Sequence, residues 1–280
     1  RKLLLIENLI FDSSVNSSSE VFEVFLNSLG SPASCIVGKL IFKNLFSDAT
    51  DGQKSILDAT DKLCLKDDIE KIRWLYTLKP NTINIPAYIN DEREYSEIAV
   101  LHFELSNPSK IKRITQFVNR AIPYPLVLLF THNDAADLNL AMSVSGKRIN
   151  QADKTKWVIE ESFITTWIKL NAPSPAEQDF IQSLSVSSFS FKSFYDFYNL
   201  LIERIVALSC VEYSGVFNID GCQDTSTSRL KILRMLEKLG LKKAELANKL
   251  KKEKQMGKQV ELNIQVKKIN DEITPLKANL

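Results

Sequence analysis

The sequence predicts an α+β fold: a mixed, largely antiparallel sheet with packed helices, followed by a C-terminal helical, coiled-coil arm. Three observations predict it. The middle of the chain reads strand, helix, strand, strand, strand, an order that a doubly wound parallel sheet would not give. Pro123-Tyr124-Pro125 separates an amphipathic stripe from an apolar run, so a helix stops there and a strand begins. From Ser228 onward strong helix formers dominate, and apolar residues recur at three- and four-residue steps. The 280 residues, 44% hydrophobic and 25% charged, suffice for a large domain or a core domain with an appendage. They do not have the composition of a disordered chain.

The elements follow in order. A first segment, residues 1–50, holds a short element at 3–11 and then a helix on which Val21, Phe22, Phe25, Leu26 and Leu29 share one face. Ser18 or Ser19 can cap that helix and Gly30 can end it. Residues 36–46 fit either a strand or a helix. The α+β core is assigned to 51–185. Asp67 or Asp68 could cap a short helix, but the alternation from Ile69 to Tyr76 favours a strand at about 72–78. A turn at Pro80-Asn81 and a short extended piece at 82–85 follow. Residues 97–105 are apolar on both faces, as in a central strand. Asn107-Pro108-Ser109 opens a helix carrying Ile111, Ile114, Phe117, Val118 and Ile122 on one stripe. Residues 126–131 form a buried strand. Leu138, Leu140, Met142 and Val144 mark a half-solvated one, and Trp157, Ile159, Glu161 and Phe163 mark another.

The region 186–280 is helical. Phe194, Tyr198, Leu201, Ile205 and Leu208 lie on one helix face. Ile232, Leu236, Leu239, Leu246 and Leu250 fit a heptad seam, and Val266, Ile269, Ile273, Leu276 and Leu280 fit a second. The registers do not join, which places an interruption near 251–258. Pro275 argues against a helix running unbroken to the end.

Thirty-six basic and thirty-four acidic residues give +2 overall, but residues 229–280 hold fourteen Lys or Arg against six acids, a net of +8. The rest of the chain therefore carries −6. Lys242, Lys243, Lys249, Lys251, Lys252, Lys254 and Lys258 are the densest part. Such a helix attracts phosphate by charge and counterion release; it equally suits a solvated face or an acidic partner. No Arg-Asn pattern of a base-reading helix accompanies it.

Several chemistries are excluded. Gly30 and Gly38-Lys39 are separated by seven residues and followed by Leu40, so no phosphate-binding loop closes. No glycine-rich dinucleotide fingerprint is present, and no cofactor is expected. Cys35, Cys64, Cys210 and Cys222 form neither a disulfide framework nor a zinc motif, and His102 and His132 complete no nucleophilic triad. No metal site is expected on that basis. The enzymatic alternative is a divergent metal-dependent nuclease in which Glu97 and Glu104 hold a cation while Lys147, beside Arg148, steadies the phosphate. Glu7 and Asn8 interrupt the opening apolar run, no window reaches the roughly 18 apolar residues of a membrane span, and the cysteines suit a reducing compartment. The expectation is a cytoplasmic protein with no membrane partner.

Several segments together resemble a bacterial family catalogued as a domain of unknown function, number forty-three ninety-one. They are Ile72-Arg73-Trp74-Leu75-Tyr76-Thr77-Leu78, Thr82-Ile83-Asn84-Ile85, Glu97-Ile98, Ala121-Ile122-Pro123-Tyr124-Pro125, Gly146-Lys147-Arg148, Trp157, Thr166-Trp167, Lys252-Glu253-Lys254-Gln255 and Val260-Glu261-Leu262-Asn263. The resemblance covers residues 36–273. It implies no activity. It does imply a genetic setting beside DNA helicases and DNA methyltransferases in restriction-like, phage-defence clusters. An accessory or adaptor subunit is the expected function, with the helicase or methyltransferase as protein partner. DNA contact by the basic arm, together with Lys147 and Arg148, and a homodimer through the arm are further options. Among the shared residues Trp74 and Trp167 read as core aromatics and Asn84 as a turn former, while Lys39, Lys43, Lys147 and Arg148 are polar residues that packing would not demand.

Overall fold

The computed structural model describes residues 18–41, 43, 57–135, 137–189, 192–219 and 223–280. The element expected at 3–11 and Cys222 lie outside the described residues. In chain order the elements are α1 (Ser18–Ser28), β1 (Ile36–Leu40), α2 (Ala59–Asp67), β2 (Ile69–Leu78), α3 (Pro80–Ile83), β3 (Tyr88–Ile89), β4 (Glu94–Tyr95) and β5 (Ile98–Leu105). They continue as α4 (Ile111–Ala121), β6 (Leu126–Asp134), β7 (Asp137–Ile149), β8 (Trp157–Ile164), β9 (Ile168–Lys169), α5 (Pro175–Ser183), α6 (Phe194–Ser214), α7 (Gln223–Lys252) and α8 (Met256–Ala278). Contacts divide the chain into two units, Arg1–Ile205 and Val206–Leu280, with the division inside α6. The α1 helix, expected in a separate N-terminal segment, packs against β7 of the sheet unit.

The sheet has the order β1-β2-β5-β6-β7-β8, with the short β9 also pairing β7. Its β5–β6 pair is parallel and joined by α4; the other pairs are antiparallel. The fold is therefore α+β with a mixed, mostly antiparallel sheet and a C-terminal helical region. Alternation sorts the strand side chains into two layers. Leu101, Phe103, Leu128 and Phe130 face Ile114, Phe117 and Val118 of α4, all buried in one cluster. Each such side chain is worth roughly 1.5–3 kcal/mol when removed from water. An ion cluster clamps α2 to α4: Asp61, 1% exposed, meets Arg113 Nε at 2.8 Å and the Arg120 guanidinium at 2.5 Å.

Several elements differ from expectation, each for a local reason. The short helix comes before β2, because Asp58 accepts from the Asp61 N–H and Asp61 returns the bond to the Asp58 N–H, a reciprocal capping box. Asp68 ends that helix instead of starting one, and β2 then opens at Ile69, where Ile69 and Lys71 pair with Leu105 and Glu104. The turn expected at Pro80-Asn81 continues as a helix to Ile83, so 82–83 are helical instead of extended: Pro80 pre-sets the first position and Asn84 closes the turn at φ 56°. The strand expected to be half-solvated is buried over most of its length, because both faces of the sheet are covered. The α5 helix was not foreseen, although Ser174-Pro175-Ala176-Glu177 is a capping box with proline at the first helical position. Finally, α8 runs through Pro275 to Ala278. Proline there forfeits one backbone bond close to the end of the helix, where little of the ladder remains to be lost.

The helical unit pairs α7 with α8 around the short connection at residues 253–255. Leu233, Leu236, Leu246 and Ile269 are buried. Along α8 the less exposed positions fall at 259, 262, 266, 269, 270, 273 and 276, a stripe of three- and four-residue steps with Asn270 at its margin. One apolar seam is thus sufficient to hold two otherwise polar helices together.

Candidate functional site

Glu97 precedes β5 and is paired with Lys79 at 3.0 Å; Glu104 sits near the other end of the strand, paired with Arg73 at 3.1 Å. Seven residues of extended chain separate them by about 23 Å. Lys147 is fully buried, and its Nζ donates to the Ile122 carbonyl at 2.6 Å and the Tyr124 carbonyl at 2.9 Å. The expected constellation of Glu97, Glu104 and Lys147 is not brought together. Lys147 closes the C-terminal end of α4, where carbonyls lack intrahelical partners, and burial lowers its pKa to about 7. A sealed lysine cannot touch DNA, so its expected binding role is corrected. The adjacent Arg148 points to the other face and approaches Glu160 at 3.8 Å, while Glu160 is held mainly by Arg93 at 2.7 and 2.9 Å.

Lys43, another residue that packing was not expected to demand, likewise donates to backbone, to the carbonyls of Lys66 and Ile69. Trp74 and Trp167 pack against the core as expected.

In the helical unit Lys242, Lys249, Lys251, Lys252, Lys254 and Lys258 are exposed, and Lys243 is half-buried. Residues 242–258 hold seven lysines against Glu245 and Glu253, a net of +5 within 17 positions. Lys249 pairs with Glu245 at 2.7 Å. The exposed face of α7 also carries Lys231, Arg234 and Lys238, which with Lys242, Lys249 and Lys252 fall at three-, four- and seven-residue steps. This spacing aligns them on one side of the helix. The resulting basic ridge is about 32 Å long at 1.5 Å per residue. Charge density pointed to residues 242–258; helical periodicity, available in the same sequence, extends the surface back to Lys231.

A concave feature lies at the carboxyl ends of the parallel strands β5 and β6. A cavity of about 350 Å³ is lined by Arg73, His102, Glu104, Thr131 and His132, with Ser18, Ser19 and Phe22 of α1 beside them. His102 is 2% exposed, stacks on Phe22 at 4.2 Å between ring centroids, and bonds Thr131 Oγ1 through Nε2 at 2.7 Å. Burial, reinforced by Arg73 and Lys71, lowers its pKa to about 3, so the ring is neutral. No group of three or more His, Cys, Asp or Glu among the described residues could hold a metal ion. Sequence reading did not find this cavity, because its walls come from α1, β2, β5 and β6 and no local motif links them.

A family model described as a Domain of unknown function (DUF4391) matches residues 29–273. The chain belongs to that family. No curated protein and no solved structure matches it. No described helix is long and apolar enough to cross a membrane, and Cys35, Cys64 and Cys210 are free and buried.

Proposed function

We propose that this chain is a non-catalytic accessory or adaptor subunit, and that the basic ridge of α7 engages a phosphate-bearing or acidic partner. The observation that carries the reading is the ridge itself: Lys238, Lys242, Lys249 and Lys252 are exposed on one helix face with Glu245 as the acid among them. Surface ion pairing is weak and readily exchanged, so the Lys249–Glu245 pair does not withhold the ridge from a partner. The genetic setting implied by the family resemblance makes a DNA helicase or methyltransferase of a restriction-like, phage-defence complex the protein partner, in the cytoplasm, with DNA contact assisting assembly. The nuclease alternative would have to work with Glu97 and Glu104 in separate ion pairs and Lys147 buried, and it is an outcome of the test below.

The test is binding of the full chain to a 30-base-pair duplex, followed by fluorescence anisotropy across a salt series. Binding should weaken steeply with salt, and a Lys242→Gln/Lys249→Gln/Lys252→Gln variant should flatten the log–log slope by about 0.9 per lost phosphate contact. Salt-insensitive binding, or cleavage of the duplex with Mg²⁺, would refute the reading. A second reading, homodimerisation, is favoured by Met256, Val260 and Ile264, exposed by 80%, 53% and 51% at four-residue steps on α8. Sedimentation velocity of the chain and of a Val260→Glu variant separates it from a monomeric adaptor.

A further inference from the structure

The cavity at the ends of β5 and β6 has the ingredients of a binding site independent of the ridge. Ligand pockets commonly run from about 300 to 1,000 Å³, and at about 350 Å³ this one suits a small molecule. We propose that it binds the oxyanion group, a carboxylate or a phosphate, of a small polar ligand, with Arg73 as the counter-charge and the N-terminus of α1 as a second set of donors.

Four observations support this assignment. Arg73 lines the cavity and uses one Nη on Glu104; a guanidinium has five N–H donors, so others remain for a ligand. The α1 helix, eleven residues long, starts at Ser18, and both Ser18 and Ser19 line the cavity. The first N–H groups of a helix have no partner within it and carry the positive end of the dipole. His102 forms part of the wall with its Nδ1 buried and without a hydrogen-bond partner, an unmet bond at a place where such bonds are normally met. Arg73 and Lys71 lie close enough to the His102 ring to oppose its protonation, behind the larger effect of burial. Two acids, Glu104 and Glu70, stand among the described lining residues. Glu104 is committed to Arg73, and Glu70 is exposed at the rim.

Carboxylate and phosphate share this chemistry, and two probes distinguish them. Inorganic phosphate and malonate are titrated separately into the full chain by calorimetry, while the His102 side-chain resonances are followed by NMR. At least one probe should bind saturably at a single site and shift the His102 ring signals. Arg73→Gln should weaken that binding by about tenfold or more, as expected for loss of a charge-assisted pair, and Arg73→Lys should restore most of it. Circular dichroism of both variants checks that the fold is kept. The Lys242→Gln/Lys249→Gln/Lys252→Gln variant should bind the probe normally, which separates this site from the proposed ridge. Absence of saturable binding by either probe, binding that Arg73→Gln leaves intact, or binding that disappears with the ridge lysines would overturn the assignment.

Discussion

In the sheet unit Lys147 has no solvent exposure and donates hydrogen bonds to two carbonyls just past the last residue of α4. In the helical unit Lys242, Lys249, Lys251 and Lys252 face solvent on the last turns of α7. The carboxylates divide in the same way: Asp61 is buried between two arginines, whereas Glu245 lies exposed beside one lysine. Residue type is alike in the two settings; what differs is whether the side chain has been taken out of water and given fixed partners. A side chain in the first setting is tied to the fold by its fixed partners, and breaking those ties is expensive. A charge in the second setting contributes little to stability and stays available to another molecule.

Substitutions can break this contrast, beginning with the largest effect. Asp61→Ala removes the buried carboxylate between two partly exposed arginines, of which Arg113 keeps its pair with Asp58, and should cost about 1–3 kcal/mol, read as a lower urea midpoint; a loss within error would mean that the clamp is not structural. Lys147→Met should change the pH dependence of stability. The folded pKa of about 7 lies below the unfolded value, so the unfolded chain binds more protons between roughly pH 7 and 10.5. Stability of the parent therefore rises with pH across that window, by at most about 1.4 kcal/mol per pH unit, and urea titrations of Lys147→Met should lack that rise.

His102 acts in the same direction at lower pH. Its folded pKa of about 3 against an unfolded value near 6.5 means that stability falls as the pH drops below about 6.5. His102→Gln should flatten the acid limb of the same titration. The smallest stability effect belongs to the ridge. Glu245→Gln should leave the urea midpoint unchanged yet tighten binding to duplex DNA, because it removes the acid from among the lysines. A clear stability loss there would show that the ridge is structural after all.

Much of this fold was legible in the sequence where one residue pattern serves one purpose. The α4 stripe, the proline stop before β6 and the apolar β5 all follow from periodicity and backbone chemistry, and so does the break between α7 and α8. Legibility failed where tertiary context decided the outcome. The alternation of β7 suggests a wet face, but Asn139, Ser143 and Ser145 are buried beneath covering elements. Lys147 reads as surface charge because nothing local says that the carbonyls of Ile122 and Tyr124 will meet it. The cavity is harder still, since Arg73, His102 and Thr131 are 29 residues apart at each step and converge only through strand pairing. The ridge, by contrast, was half legible: its density was visible, while its extension to Lys231 required reading the lysines by helix face.

The availability of these lysines is measured most directly by pulsed amine acylation of the folded chain, read residue by residue by mass spectrometry with and without duplex DNA. Lys242, Lys249 and Lys252 should be modified early and become protected when DNA is added, while Lys147 stays unmodified until the chain unfolds. Early modification of Lys147, or ridge lysines whose reactivity DNA leaves unchanged, would contradict the division of labour between the two units.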